Sequence, residues 1–271
     1  MTIPQAAQAA KDLAPRIVVL ARVGYTAKAA LYGTIGVLAG QAALGKGGRT
    51  TDVGGALHEV VQAPMGEILL LIAAAGLAGY ALWRVVDAIT DAEGRGDDAK
   101  GIVRRVASAV RGLAHAALAL AAFHIATGSN KGGQSSKQLT TRAFEMPGGE
   151  GLVWLGAAAM LGYGAYQLYR AYRAKLGRQL NLSALPSGSH GWVIATCRAG
   201  IAARGIVFGL IGVLLARAAQ QHDAAEAGGV RESLQMLAGM GRWPLGLIAL
   251  GLVAYAVYEL VNARYRQIRV T

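Results

Sequence analysis

The chain repeats itself three times, and each copy carries two long apolar stretches. Shifting the sequence by 83 positions lays Arg22 on Arg105, Lys28 on Arg111, Pro64 on Pro147, Gly66 and Glu67 on Gly149 and Glu150, and Tyr80 on Tyr163. A shift of 176 lays Arg22 on Arg198, Gly24 on Gly200, Lys28 on Arg204, and the stretch 33–38 on 209–214 with one mismatch. A shift of 175 lays Met65 and Gly66 on Met240 and Gly241, Gly76 and Leu77 on Gly251 and Leu252, and Tyr80 on Tyr255. The copies run over 16–92, 99–175 and 192–267, behind an N-terminal segment of 1–15. Self-similarity at a fixed offset marks a chain built by duplicating one supersecondary unit. The unit here is a helix, a short polar connection containing an amphipathic stretch, and a second helix.

The apolar stretches lie at 18–44, 65–88, 104–127, 150–172, 194–219 and 243–262. A bilayer core is ~30 Å thick and takes about 20 residues of helix to cross. The uncharged cores are 29–45, 68–83, 112–130, 151–169, 205–216 and 243–258. The fifth is short for a span on its own, and the repeat assigns it. Only 15% of the 271 residues are charged, against roughly a quarter in a soluble domain. One cysteine, Cys197, excludes an internal disulfide and a Cys-rich metal site. Residues 1–16 contain Pro4, Lys11, Asp12 and Pro15 and no apolar signal region, so the first span serves as its own insertion signal. The expected fold is an all-α integral membrane protein. Two spans per repeat return the chain to its starting side, so the three repeats are parallel and related by a pseudo-threefold axis along the membrane normal.

The net charge of +12 has a direction. The N-terminal segment, the 84–105 and 170–198 connections and the C-terminus hold 3, 5, 5 and 3 basic residues. The connections inside the repeats hold 2, 3 and 3, offset by eight acids. By the positive-inside rule, both termini and the basic face are cytoplasmic. Charge concentrated on one membrane face argues against nucleic-acid binding.

Arg-x-Gly-x₃-Lys/Arg-x₃-Tyr/Phe-Gly-x-Ile-Gly in the first helix of the repeat, and Met-Gly followed by Gly-Leu-x₂-Tyr-Ala in the second, resemble a bacterial family known as domain of unknown function 1206. The second repeat departs, with Ala107 for the first Gly and His115 for the Tyr/Phe. The resemblance covers nearly the whole chain. It implies a multi-pass protein of the bacterial inner membrane built from tandem two-helix repeats, and it implies no activity.

Lys28, Arg111 and Arg204 recur once per repeat within the spans, six residues after Arg22, Arg105 and Arg198. Six helical residues rise ~9 Å, which places the inner set below the basic face. Two readings stand. The cations form a site for a phosphate- or carboxylate-bearing ligand or lipid headgroup, or they pair within the fold (Asp87 and Glu259 being the available acids) and snorkel. Gln167 and Arg170 occupy the matching positions of the second repeat, so pairing does not account for Arg111.

Small residues at i, i+4 and i+7 (Ala29/Gly33/Gly36, Gly112/Ala116/Ala119, Gly205/Gly209/Gly212) predict close helix packing or a face for a partner protein. Tyr80/Trp83, Tyr163/Tyr166 and Tyr255/Tyr258 are expected to anchor the cytoplasmic interface. His115 and His124, nine residues apart, point to opposite helix faces and cannot share an ion. His115, one turn from Arg111, is either packed or a member of a proton relay. Gly162-Tyr163-Gly164 sits in helical context, not in the unwound loop that an ion filter needs.

No Walker A, zinc-protease, nucleophile-elbow or dinucleotide pattern is present, and no catalytic residue, cofactor or metal is assigned. The functions that fit are a structural or accessory membrane protein holding anionic lipid or a partner at its basic face, or an anion or small-solute transporter using the cationic ring. The amphipathic stretches 54–62, 136–144 and 230–237 are expected at the outer face.

Overall fold

A computed structural model describes residues 3–62, 64–91, 96–129, 135–173 and 188–265. Among them are nine α-helices and no strand. Six are long: α1 (Ile3–Ala43), α3 (Gly66–Thr90), α4 (Ala99–Ala126), α6 (Gly149–Arg173), α7 (His190–Gln221) and α9 (Arg242–Tyr265). Three are short: α2 (Val53–Gln62), α5 (Ser136–Phe144) and α8 (Val230–Gly239), with a 3-10 turn at Ala224–Glu226 before α8. The helices fall where the apolar and amphipathic stretches predict them. One boundary differs. The 1–15 segment is not separate from the first span, because helical backbone already begins at Ile3. Pro4 sits in the first turn, where its missing N–H costs nothing.

Four helices, α3, α4, α7 and α9, are long and apolar enough to cross a membrane. Large apolar side chains stand exposed along them, among them Ile102, Val106, Leu113 and Leu120 on α4 and Leu247 and Leu250 on α9. A soluble fold would bury such rows.

The short helices are held at their starts by side chains. Asp52 Oδ1 accepts from the Gly55 N–H at 2.8 Å, and Ser135 Oγ accepts from the Gln138 N–H at 3.2 Å. Asp52 and Ser135 are 83 positions apart, so one capping role is filled by two residue types. Gln138 Oε1 in turn accepts from the Ser135 N–H, which completes a capping box. In the third repeat Glu232 Oε2 accepts from the Gly229 N–H at 2.8 Å instead. Burial pushes the Glu232 carboxyl up, but backbone N–H donors and Arg231 outweigh it and hold the group below its usual value.

The described chain divides into two compact units, one of 1–28, 60–133 and 260–271, the other of 29–59 and 134–259. In the first, α3 packs on α4. Gly112 lies so close to α3 that a β-carbon there would stand 3.1 Å from the Ala81 carbonyl oxygen. In the second, α6 packs on α7 and α9 on α1. A β-carbon on Gly164 would stand 2.8 Å from the Gly205 carbonyl, and one on Gly36 would stand 2.9 Å from the Ala249 carbonyl. The small-residue stripe is thus used for backbone approach. In lipid this is how helices gain packing energy, since the tails remove the hydrophobic drive between them.

Candidate functional site

The inner cations arrive on the first helix of each repeat but meet different surroundings. Arg204 on α7 is half-buried among four aromatic rings. Its guanidinium carbon lies 4.6 Å from the Phe208 centroid, 5.0 Å from Tyr255, and 5.5 Å from both Tyr32 and Tyr163. Its Nε donates to the Tyr32 hydroxyl and its Nη1 to the Tyr163 hydroxyl, each at 2.9 Å. A cation over ring faces is attracted by the ring quadrupole, more so away from water.

Lys28 on α1 is half-buried with its Nζ 4.9 Å from the Tyr80 centroid and 5.7 Å from Tyr25. Arg111 on α4 is exposed, and its Nε donates to the Ala107 carbonyl of its own helix. No carboxylate lies within ion-pair distance of Lys28, Arg111 or Arg204 among the described residues. The acids expected to pair with them are engaged elsewhere. Asp87, fully buried, accepts from Ser108 Oγ at 2.8 Å and faces Arg84 Nη1 at 3.7 Å. Glu259 accepts from the Tyr255 hydroxyl. Arg84 is four residues from Tyr80, the right spacing to reach its hydroxyl along one helix face, and a nearby base on the same helix satisfies Asp87 before Lys28 can.

Of the outer set, Arg22 and Arg198 are exposed. Arg105 is held by the Ala88 and Ile89 carbonyls and by Asp97 at 2.7 Å. His115 Nδ1 lies 2.6 Å from the Arg111 carbonyl, so it carries the proton and donates, and its ring lies tilted against Tyr80 with centroids 4.7 Å apart. His124 is half-buried beside Phe123. Among the described residues, no three His, Cys, Asp or Glu side chains are grouped to hold a metal ion.

The aromatic positions expected to anchor the interface differ in burial. Tyr80, Tyr255 and Tyr258 are buried, and only Tyr166 of the described members is exposed. Trp83 lies outside the described side chains. The buried phenols turn inward because their hydroxyls are what the span arginines hydrogen-bond to: Arg84 to Tyr80, Arg170 to Tyr258 and Arg204 to Tyr163.

A family model for the Domain of Unknown Function (DUF1206) matches the chain three times, over 23–91, 106–174 and 199–266. The chain belongs to the DUF1206 family. It is 30% identical over 258 residues to the Uncharacterized protein YxxB of Bacillus subtilis (strain 168), covering 94% of each chain. No solved structure matches it.

Within this DUF1206 chain one ring contact recurs at equivalent positions of the repeat. Tyr32, His115 and Phe208 occupy one repeat position, and Tyr80, Tyr163 and Tyr255 another. Each of the first set packs edge-on or tilted against a tyrosine of another repeat: Tyr32 on Tyr255 at 4.7 Å, His115 on Tyr80 at 4.7 Å, Phe208 on Tyr163 at 5.0 Å. One turn further along, Arg84, Gln167 and Glu259 share a third position, and all are buried. Reading charges alone passes over Gln167, Ser108 and the Arg84–Tyr80 bond. Polar residues recurring at repeat offsets inside apolar spans are the signal that would have exposed the 84/167/259 layer.

Proposed function

We propose that this protein is a multi-pass structural or accessory protein of the bacterial inner membrane, with both termini cytoplasmic, whose basic face holds anionic lipid headgroups. Six spans in three parallel repeats around a pseudo-threefold axis form its frame. Three equivalent ring pairs support that frame, as do glycine approaches at two repeat positions, Gly112 on Ala81 with Gly205 on Gly164, and Gly36 on Ala249 with Gly212 on Ala157. The observation that carries the lipid reading is the end of α6. Tyr166, Tyr169 and Tyr172 are 57%, 63% and 77% exposed there, interleaved with Arg170 and Arg173, and Arg173 lies over the Tyr172 ring. Phenol rings favour the headgroup level, and each basic residue near an anionic leaflet is worth about 1 kcal/mol. Exposed Arg22 and Arg198 extend the same chemistry to the other repeats.

A ring-lined anion path has less support. Its three cations do not share a surrounding: one is caged by rings, one lies on a ring face and one is exposed. The test is lipid analysis of protein extracted in native-membrane nanodiscs. Phosphatidylglycerol enriched over the bulk membrane is expected, falling in an R22Q/R198Q/R173Q variant. Wild-type protein without that enrichment would sink the reading.

A further inference from the structure

We propose that Arg204 is the seat of a single bound phosphate group, with Tyr32 and Tyr163 as its positioning residues; this rests on the anionic-lipid reading and narrows it to one atom set. A guanidinium carries five N–H donors in a rigid fork. Two are used, Nε on the Tyr32 hydroxyl and Nη1 on the Tyr163 hydroxyl, which fixes the orientation of the plane. The remaining three, both on Nη2 and one on Nη1, have no acceptor among the described residues. Nη2 is not among the sealed atoms of the described residues. The sealed, unpartnered side-chain atoms of the described residues are Gln167 Nε2, His190 Nε2 and Glu259 Oε2.

The charge is also uncompensated by direct contact, since the nearest counter-charge acts through a ring. The Tyr255 hydroxyl donates to Glu259, and Arg204 lies over the Tyr255 face. That arrangement enriches the ring and steadies the cation without occupying its donors. A planar fork fixed through Nε and Nη1, with both Nη2 donors unused, is preorganised for the oxygens of a phosphate, and low local polarity strengthens such bonds. Lys28 offers a point charge with no pinning hydrogen bond, and Arg111 is exposed on its own helix, so neither provides a second copy of the site. The phosphate belongs to an acidic lipid headgroup or to free phosphate, and the chemistry at Arg204 is the same for both.

Native mass spectrometry of the full chain in maltoside micelles, titrated with inorganic phosphate in one arm and phosphatidylglycerol in the other, distinguishes the sources. One tight adduct is expected in at least one arm, weakened about tenfold in R204Q, as loss of charge-assisted bonds implies. A Y32F/Y163F variant keeps every ring and charge, and is expected to weaken the adduct several-fold. R198Q is expected to leave it intact. Absence of a wild-type adduct in both arms overturns the proposal, as does unchanged binding in folded R204Q. Should R204Q fail to fold, unchanged binding in Y32F/Y163F overturns it. Graded loss of lipid enrichment in R22Q/R198Q/R173Q reports on the basic face instead, so the two readings fail separately.

Discussion

An arginine placed in an apolar helix must find company, and Arg204 finds it in ring faces and phenol hydroxyls rather than in a carboxylate. Two other residues carry measurable consequences. Met65 precedes α3 in the left-handed region at φ 59°, where its equivalent in the second repeat is Gly148 at φ 72°. A side chain in that conformation costs roughly 1 kcal/mol, so Met65→Gly is expected to raise stability by about that amount in a detergent thermal melt. Glu232 caps α8 as a carboxylate held below its usual 4.5. The folded protein therefore binds that proton less readily than the unfolded chain. Its stabilisation is complete above the usual value and is lost as pH falls through the lowered one. Glu232→Gln keeps an acceptor for the Gly229 N–H, and is expected to flatten the acid side of the stability profile in melts between about pH 3 and 7.

At the scale of elements, the boundaries of the short helices and the second helices were legible because caps, glycines and apolar periodicity are local. Ser136–Phe144 coincides with the amphipathic stretch from which it was expected. Partner choice was not legible. Whether an acid reaches Lys28 depends on how α3 is turned, and the close approach of Gly112 to Ala81 fixes the α3–α4 contact. The glycines themselves divide into two kinds that look alike in sequence. A side chain on Gly164 collides with the backbone at Gly205 and Gly209, whereas Gly162, two residues away, has open space. Gly164→Leu is expected to cost ~1–3 kcal/mol by overpacking, and Gly162→Ala less than about 0.5 kcal/mol. Parallel thermal melts with light scattering check both.

For the whole molecule, the threefold pattern told most about architecture and least about chemistry. Duplication fixes where equivalent backbones go, but side chains at equivalent points have diverged: Tyr32, His115 and Phe208 at one, Arg84, Gln167 and Glu259 at another. Three chemically different versions of one position explain why the inner cations could be found by offset while their environments could not. Orientation is testable because Cys197 is the single cysteine and is fully buried. In intact cells, Lys46→Cys is expected to react with an impermeant maleimide. Arg173→Cys is expected to react only after permeabilisation. The reverse pattern would invert the topology.

The approach of Gly36 on α1 to Ala249 and Val253 on α9 has a consequence for biosynthesis. Val253 is made 217 positions after Gly36, so the glycine face of α1 waits through nearly the whole of translation for its partner. A polypeptide released before α9 leaves that face unmatched.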